Sequence, residues 1–224
     1  MITSSLPDFC YQPPLEPYLT ILYQDDDVLV LDKPSGLLSV PGRLAEHADS
    51  LQSRVQRVFP TATVVHRLDM STSGIMLMAL NKPSHRALSK QFESRKISKC
   101  YLALVHGHPR EQQGRVDLPL ICDWPNRPMQ KVCFETGKAS TTNWKVLETF
   151  CNNSSLLELE PVTGRSHQLR VHMQSIGHPI LGDKFYAHSK AFLMHSRLAL
   201  HASFIRFTHP STSELMSFDL PTGF

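Results

Sequence analysis

Apolar and polar residues alternate with a period of two along much of this chain, and that pattern predicts β-strands. Tyr18–Tyr23 and Val28–Asp32 are two such runs, joined by an acidic turn that predicts a hairpin. Gly74–Leu80 has no polar side chain, which indicates a central strand covered on both faces. Further strands are predicted at Lys99–Gly107, within Gly114–Phe150 on both sides of a Cys122–Pro128 loop, and at Leu156–Glu160, Leu198–Ala202, Phe204–Phe207 and Leu215–Phe218.

Three segments repeat their apolar residues at helical spacing instead. Ser50–Phe59 is the first of them. Pro83–Ser94 is the second, with Asn81 as its N-cap and a proline suited to the first turn. Ser166–Ile176 is the third, and Gly177 after it is the residue type that most often ends a helix. These three helices are all that the pattern predicts.

Three helices among so many strands predict an α+β fold built on a mixed, mainly antiparallel sheet. No internal repeat or low-complexity linker divides the chain. We therefore expect a single domain over residues 18–224, preceded by an irregular tail over residues 1–17. The 224 residues, of which 41% are hydrophobic and 19% charged, are enough to bury one substantial core.

The composition argues against several classes of protein. No apolar run approaches the ~20 residues that span a bilayer, and the N-terminal segment lacks the basic start and apolar core of a secretory signal. The five cysteines form no CxxC pair, and the twelve histidines form no HExxH or similar ligand pattern. We therefore expect a cytoplasmic protein with reduced thiols, no membrane association and no metal.

The net charge of +3 is too small to indicate a nucleic-acid-binding protein by itself, but its distribution is uneven. One segment carries six basic residues against the single acid Glu93. This segment is either a phosphate-facing surface or a solvated helix face. Its basic residues are Lys82, Arg86, Lys90, Arg95, Lys96 and Lys99.

A carboxylate, Asp69, lies in a short polar segment with apolar runs close on both sides. If this segment is extended, Arg67 and Asp69 point to the same face of the chain. A charge among core-like residues is costly unless it is paired or used. The residues alone leave open a structural ion pair, a turn-capping aspartate and a catalytic group.

Other catalytic patterns receive little support. The chain has no GxGxxG or GxxxxGK[ST] loop to cradle a nucleotide cofactor. A Ser-His-Asp triad would lack the GxSxG elbow. A glycosidase with paired carboxylates would need Glu158 or Glu160 as its second acid, and both lie on an ordinary predicted strand.

Several segments, in order along the chain, resemble the motifs of the RluA-type pseudouridine synthases. His66–Gly74 resembles the HRLDxxTSG signature, and Thr163–His172 resembles the TGRxHQ(I/L)RxH motif. Lys33–Leu37 and Lys99–Gly107 are similar to the KPxG and KxYxAxVxG segments. Gly177–Asp183 and Leu198–Ala202 also fit, so the resemblance covers most of the chain.

The resemblance implies the pseudouridine synthase fold, with a central RNA-binding cleft and no cofactor or metal. Asp69 would be the nucleophilic catalyst in a reaction that detaches uracil from C1′, turns the base and rejoins it through C5. Breaking the glycosidic bond leaves positive character at C1′, which a carboxylate stabilises. Attack on C1′, addition to the uracil ring and removal of the C2′ proton all remain open.

The same resemblance assigns roles to other residues. Arg170 would pair with Asp69, since an adjacent guanidinium favours an ionised carboxylate. Tyr101 would lie against the target base and assist deprotonation at C5. The target nucleotide must leave its stack, and Arg67 would fill the vacated space or hold the flipped backbone. His167 would contact RNA, and the phosphate-binding residues would be Lys82, Arg86, Lys90, Arg95, Lys96, Lys99 and Arg165.

The resemblance also implies the partners, which are stem-loops of tRNA and of large-subunit (23S) ribosomal RNA, and we expect the protein to act as a monomer. The S4-like RNA-binding domain of some relatives is expected to be absent, because only a short segment precedes the first predicted strand. Two other functions remain possible. One is a catalytically idle RNA-binding or RNA-folding module of the same fold, and the other is a glycosidase acting on free nucleosides.

Overall fold

A computed structural model describes residues 11–224. The part of the expected tail at residues 1–10 lies outside the described residues. Residues 11–19 form no helix or strand, yet they are anchored to the domain. The fully buried guanidinium of Arg54 donates to the carbonyl oxygens of Pro14 (2.8 Å) and Tyr18 (3.1 Å), and it is paired with Asp49 at 2.6 Å. This segment is therefore packed against the first helix rather than lying loosely on the surface.

The described residues form twelve strands and four α-helices. The strands are β1 (Thr20–Gln24), β2 (Val28–Lys33), β3 (Thr63–Val64), β4 (Ser73–Ala79), β5 (Ser98–His106), β6 (Gln113–Asp117), β7 (Leu120–Cys122), β8 (Gln130–Val132), β9 (Thr141–Phe150), β10 (Ser154–Pro161), β11 (Leu200–Thr208) and β12 (Leu215–Asp219). The helices are α1 (Leu51–Gln56), α2 (Lys82–Glu93), α3 (Gln168–Ser175) and α4 (Ser189–Leu193).

Ten of these strands make one sheet, in the order β1-β2-β4-β11-β5-β10-β9-β6, with β12 added to β11 and β3 to β4. Every pairing is antiparallel except that of β4 with β11. Strands β7 and β8 form a separate hairpin around the predicted Cys122–Pro128 loop. The predicted mixed, mainly antiparallel α+β fold is confirmed. Leu198–Ala202 and Phe204–Phe207 were predicted as separate strands. They belong to one strand, β11, which has an irregularity between Ala202 and Phe204.

Strand β4 is the central strand that the apolar run predicted, and all seven of its residues are buried. Ile75 and Leu77 pack on the side of α2, and Met76 and Met78 pack on the opposite side with α1. This division between the two faces follows from the period of two in a strand. At Gly74 (φ +109°) a Cβ would collide with the backbone of Ala202, so only glycine allows β4 to approach β11 there.

The three predicted helices are present at slightly different boundaries. Helix α1 begins after Ser50, which forms a capping box, and it ends three residues early, so Val58 lies outside it and is 62% exposed. Asn81 caps α2 as predicted. Helix α3 is followed by Gly177 in a left-handed conformation. The pattern missed α4, whose five residues are too few for a helical period to be recognised.

Candidate active site

The polar loop between β3 and β4 carries Asp69, and hydrogen bonds between side chains and the backbone hold it in place. The Ser39 hydroxyl donates to the carbonyl of Leu68 (2.6 Å) and accepts from its N–H (3.1 Å). The ring of His66 accepts the N–H of Leu77 through Nε2 (2.9 Å). Residues 65–72 form no strand, and within them Leu68 is buried while Arg67 is exposed and Asp69 is partly exposed. Arg67 is exposed and forms no ion pair within residues 11–224.

Lys33 holds this loop from beneath, a role that the sequence reasoning missed. Its side chain is fully buried, and Nζ donates to the carbonyl oxygens of Pro34 (2.9 Å), Leu37 (2.7 Å) and Met70 (3.0 Å). Burial lowers the pKa of Lys33 to about 7, although the charges of Asp69 and Asp32 oppose that change. The sequence did contain an indication of this role, because Lys33 ends the apolar run of β2 and a residue at the end of a buried run is itself often buried.

The pKa of Lys33 makes its contribution to stability depend on pH. Between about pH 7 and 10.5 the unfolded lysine binds a proton that the folded one has lost, so stability rises with pH in that range. Relative to Lys33→Met, the free energy of unfolding should increase by about 2 kcal/mol from pH 7 to pH 9. Urea unfolding of both proteins at the two pH values checks this. A difference that does not change with pH would contradict it.

Arg170 lies between two carboxylates and brings α3 to the Asp69 loop. Its Nη1 is 3.4 Å from Asp69 Oδ2, while Nε and Nη2 each donate to Asp183 at 2.7 Å. The Arg170 side chain is 4% exposed and that of Asp183 is fully buried. Burial alone would lower the pKa of Arg170, but the hydrogen bonds and charge of Asp183, with the charge of Asp69, raise it above its ordinary value. The guanidinium is therefore a permanent positive charge beside Asp69.

Asp183 is itself fixed by the turn that follows it. One of its carboxylate oxygens accepts the N–H groups of Phe185 (2.9 Å) and Tyr186 (3.3 Å). The rings of these two residues lie 5.3 and 5.0 Å from the guanidinium carbon of Arg170. The orientation of Arg170 is thus determined on three sides, which leaves one nitrogen for Asp69. Asp183 and Tyr186 were not singled out from the sequence, because each lies in a turn remote from Asp69.

Asp69 lies in an open cleft of about 940 Å³. Its side chain is 30% exposed, so a substrate can reach it. Tyr101, in the middle of the sheet on β5, lines the same cleft. Burial, with a contribution from the Asp69 charge, raises the pKa of Tyr101 well above its usual value. Tyr101 therefore stays protonated at any physiological pH.

The predicted RNA-contacting residues divide into two groups. Those that line the cleft are Arg67, Arg95, Lys99, Arg165 and His167. Those outside it are Lys82, Arg86, Lys90 and Lys96, all of them exposed. Lys99 is not part of a solvated helix face, which was one interpretation of the basic segment. Its ammonium lies 5.8 Å from the Phe92 ring, and burial lowers its pKa.

His167 is the N-cap residue of α3 and adopts a left-handed conformation (φ +53°). Its Nδ1 is 2.7 Å from the Tyr186 hydroxyl and its Nε2 is 3.8 Å from Asp69 Oδ2. Burial lowers the pKa of His167, with smaller opposing effects from Asp69 and Asp183 and a supporting one from Arg170. The imidazole is therefore neutral near pH 7.

A buried glutamine, Gln168, holds the segment before α3. Its Oε1 accepts from the Thr163 hydroxyl (2.7 Å) and the Arg165 N–H (3.0 Å). Its Nε2 donates to the Thr141 carbonyl (2.8 Å) and the Thr142 hydroxyl (3.0 Å) on β9. These four bonds fix the turn that presents Arg165 and His167 to the cleft.

Within residues 11–224, no group of three or more His, Cys, Asp or Glu side chains is arranged to hold a metal ion. None of the helices in that range has the length and apolar character needed to cross a membrane.

An aspartate, a tyrosine and a buried arginine line one cleft of this fold. Comparison with known protein families identifies the class of protein that has these features. The family described as RNA pseudouridylate synthase matches residues 27–175. The chain belongs to this family. Two solved human structures are similar over most of the chain: RNA pseudouridylate synthase domain containing 1 (TM-score 0.76, 30% identity, 98% of this chain and 87% of that one) and domain containing 4 (0.73, 26%, 90% and 88%).

Closer relatives carry one particular name. The chain is 56% identical over 214 residues to the dual-specificity RNA pseudouridine synthase RluA of Escherichia coli K12, which covers 96% of this chain and 98% of the relative. It is 54% identical over 218 residues to the protein of that name from Vibrio parahaemolyticus, covering 96% and 87%. The resemblance stated from the motifs is confirmed.

Proposed function

We propose that this protein isomerises specific uridines in structured RNA to pseudouridine, with Asp69 as the nucleophilic catalyst. In the reaction the N1–C1′ bond of uridine breaks and a C5–C1′ bond forms, while the C5 proton is lost and N1 gains one. The product is an isomer of the substrate, so no group is added or removed. The observation that carries the proposal is the meeting of Asp69 and Arg170, 101 residues apart in the chain, in a cleft that Tyr101 also lines.

Asp69 has one carboxylate oxygen available for this chemistry. Arg170 donates to Oδ2, whereas Oδ1 accepts no hydrogen bond from residues 11–224. Attack on C1′, addition to the uracil ring and removal of the C2′ proton each require an ionised oxygen facing the nucleotide. The permanent charge on Arg170 favours that ionised form at neutral pH.

Tyr101 supports the target base and assists removal of the C5 proton. Its ring offers a stacking surface, and its hydroxyl is a neutral group that can accept and pass on a proton. We expect Tyr101→Phe to lower kcat about 100-fold, since the ring remains and the hydroxyl is lost. Pseudouridine formation under single-turnover conditions, beside an RNA-binding measurement, checks this. A loss of RNA affinity with unchanged kcat would assign Tyr101 to binding alone.

The RNA substrates in the proposal are stem-loops of both 23S ribosomal RNA and the tRNA anticodon arm. Support comes from the dual specificity in the names of relatives that are more than half identical over almost the whole chain. The test is to map pseudouridines by carbodiimide modification and primer extension in total RNA from cells with and without the gene. Purified protein should restore the missing sites in both RNA classes. Restoration in one class only would reduce the proposal to a single specificity.

Phosphate contacts extend from the cleft onto the exposed basic face of α2. Displacement of counterions makes such binding fall steeply with salt, by about one unit of slope for each phosphate contact. Arg165→Gln and Lys90→Gln should each lower RNA affinity and reduce that slope by about one. Lys190→Gln, at an exposed lysine of α4 outside the cleft, is the matched control and should have no effect. Filter binding across a salt series measures the slopes, and an unchanged slope for Lys90→Gln would remove α2 from the RNA surface.

The proposed enzyme acts in the cytoplasm as a monomer, with residues 18–224 as a single catalytic domain. Sedimentation equilibrium at micromolar concentration should give the mass of one chain, and limited proteolysis should leave one active fragment that contains all of residues 18–224. A dimer mass, or cleavage into two stable fragments, would contradict these parts of the proposal.

A further inference from the structure

Tyr186 and His167 are joined by a hydrogen bond, and the other nitrogen of the His167 ring lies near Asp69. The N–H of Gln130 donates to the Tyr186 oxygen (2.8 Å), so the Tyr186 hydroxyl proton is free to be donated elsewhere. The nearest acceptor is Nδ1 of His167 at 2.7 Å. Because a neutral imidazole carries one proton, accepting at Nδ1 places that proton on Nε2. This N–H lies 3.8 Å from Asp69 Oδ2.

Two donors therefore converge on the same oxygen of Asp69. Arg170 Nη1 reaches Oδ2 from one side and His167 Nε2 from another. The Arg170 contact is a long hydrogen bond at 3.4 Å, whereas the His167 contact at 3.8 Å is beyond hydrogen-bond distance. Catalytic contacts of this length often tighten when the substrate binds. Contacts to Oδ2 from two directions would set the plane of the carboxylate and leave Oδ1 to the substrate.

We propose that His167 is a positioning residue that holds Asp69 for reaction, and that Tyr186 acts through it by fixing the Nε2–H tautomer. This inference rests on the proposed function, since it assigns a purpose to the orientation of the proposed nucleophile. It replaces the RNA contact expected for His167 from the sequence. The Tyr186 ring is buried against Arg170 and its hydroxyl lies away from solvent, so it acts without touching RNA.

Two substitutions of His167 separate positioning from packing. The amide nitrogen of glutamine extends about as far from the backbone as Nε2 of histidine, whereas that of asparagine extends only as far as Nδ1. His167→Gln keeps a donor for Asp69, and His167→Asn removes it. Asparagine is also better tolerated than glutamine in the left-handed conformation of residue 167. Backbone strain alone would therefore make His167→Gln the more damaging substitution, which is the opposite of the result that positioning predicts. We expect His167→Asn to lower kcat about 10- to 100-fold and His167→Gln about threefold, with KM for RNA nearly unchanged in both.

Tyr186→Phe tests the second link, because it removes the hydroxyl and keeps the ring. It should lower kcat about tenfold when His167 is present and leave kcat unchanged when His167 is asparagine. Tyr186→Phe also leaves the Gln130 N–H without its acceptor, which can lower stability whether residue 167 is histidine or asparagine. A thermal melt of each variant therefore separates the loss of stability from the effect on kcat. The parent protein is assayed beside the variants on the same tRNA and ribosomal RNA fragments.

Each outcome decides the proposal. The expected pattern is a kcat loss in Tyr186→Phe that depends on His167, together with partial rescue by glutamine. Equal losses in both backgrounds, a kcat for His167→Asn equal to that of the parent, or a rise in KM without a fall in kcat would overturn it. A parent that forms no pseudouridine would overturn the proposed function as well, whereas an active parent with unaffected variants would overturn this inference alone.

Discussion

Asp69→Asn is expected to abolish pseudouridine formation while leaving RNA affinity within about fivefold of the parent value. The substitution preserves the size and shape of the side chain. It replaces the negative oxygen that faces the cleft with a neutral amide, which can neither attack C1′ nor accept a proton. The rate should fall by more than about 10⁴-fold, as expected when an enzyme loses its nucleophile. Primer extension after carbodiimide treatment measures the product, and filter binding measures the affinity.

An aspartate remote from the cleft provides the control for Asp69→Asn. Asp219 is exposed on β12, and Asp219→Asn should leave both activity and affinity unchanged. The result also separates the three candidate functions. Continued pseudouridine formation by Asp69→Asn would disprove its assigned role. A parent that binds RNA without changing it would indicate the idle module, and release of free uracil would indicate a glycosidase.

Arg170→Lys is expected to lower kcat about 100-fold even though the positive charge is kept. The guanidinium contacts Asp183 through two nitrogens and Asp69 through a third. A lysine ammonium is a single point of charge and cannot span both carboxylates in that geometry. If it stays with buried Asp183, Asp69 loses its partner. The free energy of unfolding should also fall by about 3 kcal/mol, because the bidentate contact to a buried carboxylate is lost. Single-turnover kinetics and urea unfolding measure the two effects.

A paired substitution distinguishes the two effects of Arg170. In Arg170→Met, Asp183 becomes an unpaired buried charge, which is the main reason to expect instability. Adding Asp183→Asn removes that charge while keeping an oxygen for the N–H groups of Phe185 and Tyr186. The double variant should regain much of the lost stability and none of the activity. Activity that returned in step with stability would show that Arg170 acts only by holding the fold.

The sheet could be predicted from the sequence because the apolar and polar residues of each strand indicate which of its faces are buried. Strand β4 has no polar side chain from Gly74 to Ala79, and only a strand with both faces covered accommodates such a run. Strand β5 was placed within one residue at each end. The cap of α2 was also predicted, because Asn81 has a side chain that satisfies a free N–H group at the helix start. These features depend on neighbours in sequence.

The parts that could not be predicted depend on contacts between distant residues. The shape of the Asp69 loop depends on Lys33 and Ser39, which lie 37 and 29 residues before the loop residues whose carbonyl oxygens they contact. Local patterns also gave no reason to connect Asp183 with Arg170. The motif resemblance named Asp69, Tyr101 and Arg170 as a set, and the structure brings them to one cleft. It gave no indication of Tyr186.

The position of β11 in the sheet has a consequence for synthesis on the ribosome. Strands β1, β2 and β4, with the Asp69 loop, emerge first, and β5 with β9 and β10 emerges later, but β4 and β5 are not neighbours. Strand β11 lies between them, pairing with Ser73 and Gly74 of β4 on one side and with β5 on the other. We therefore expect Asp69 and Arg170 to reach their common cleft only after residues 200–208 have left the exit tunnel. Recovery of activity on refolding should then report the joining of the two halves of the sheet.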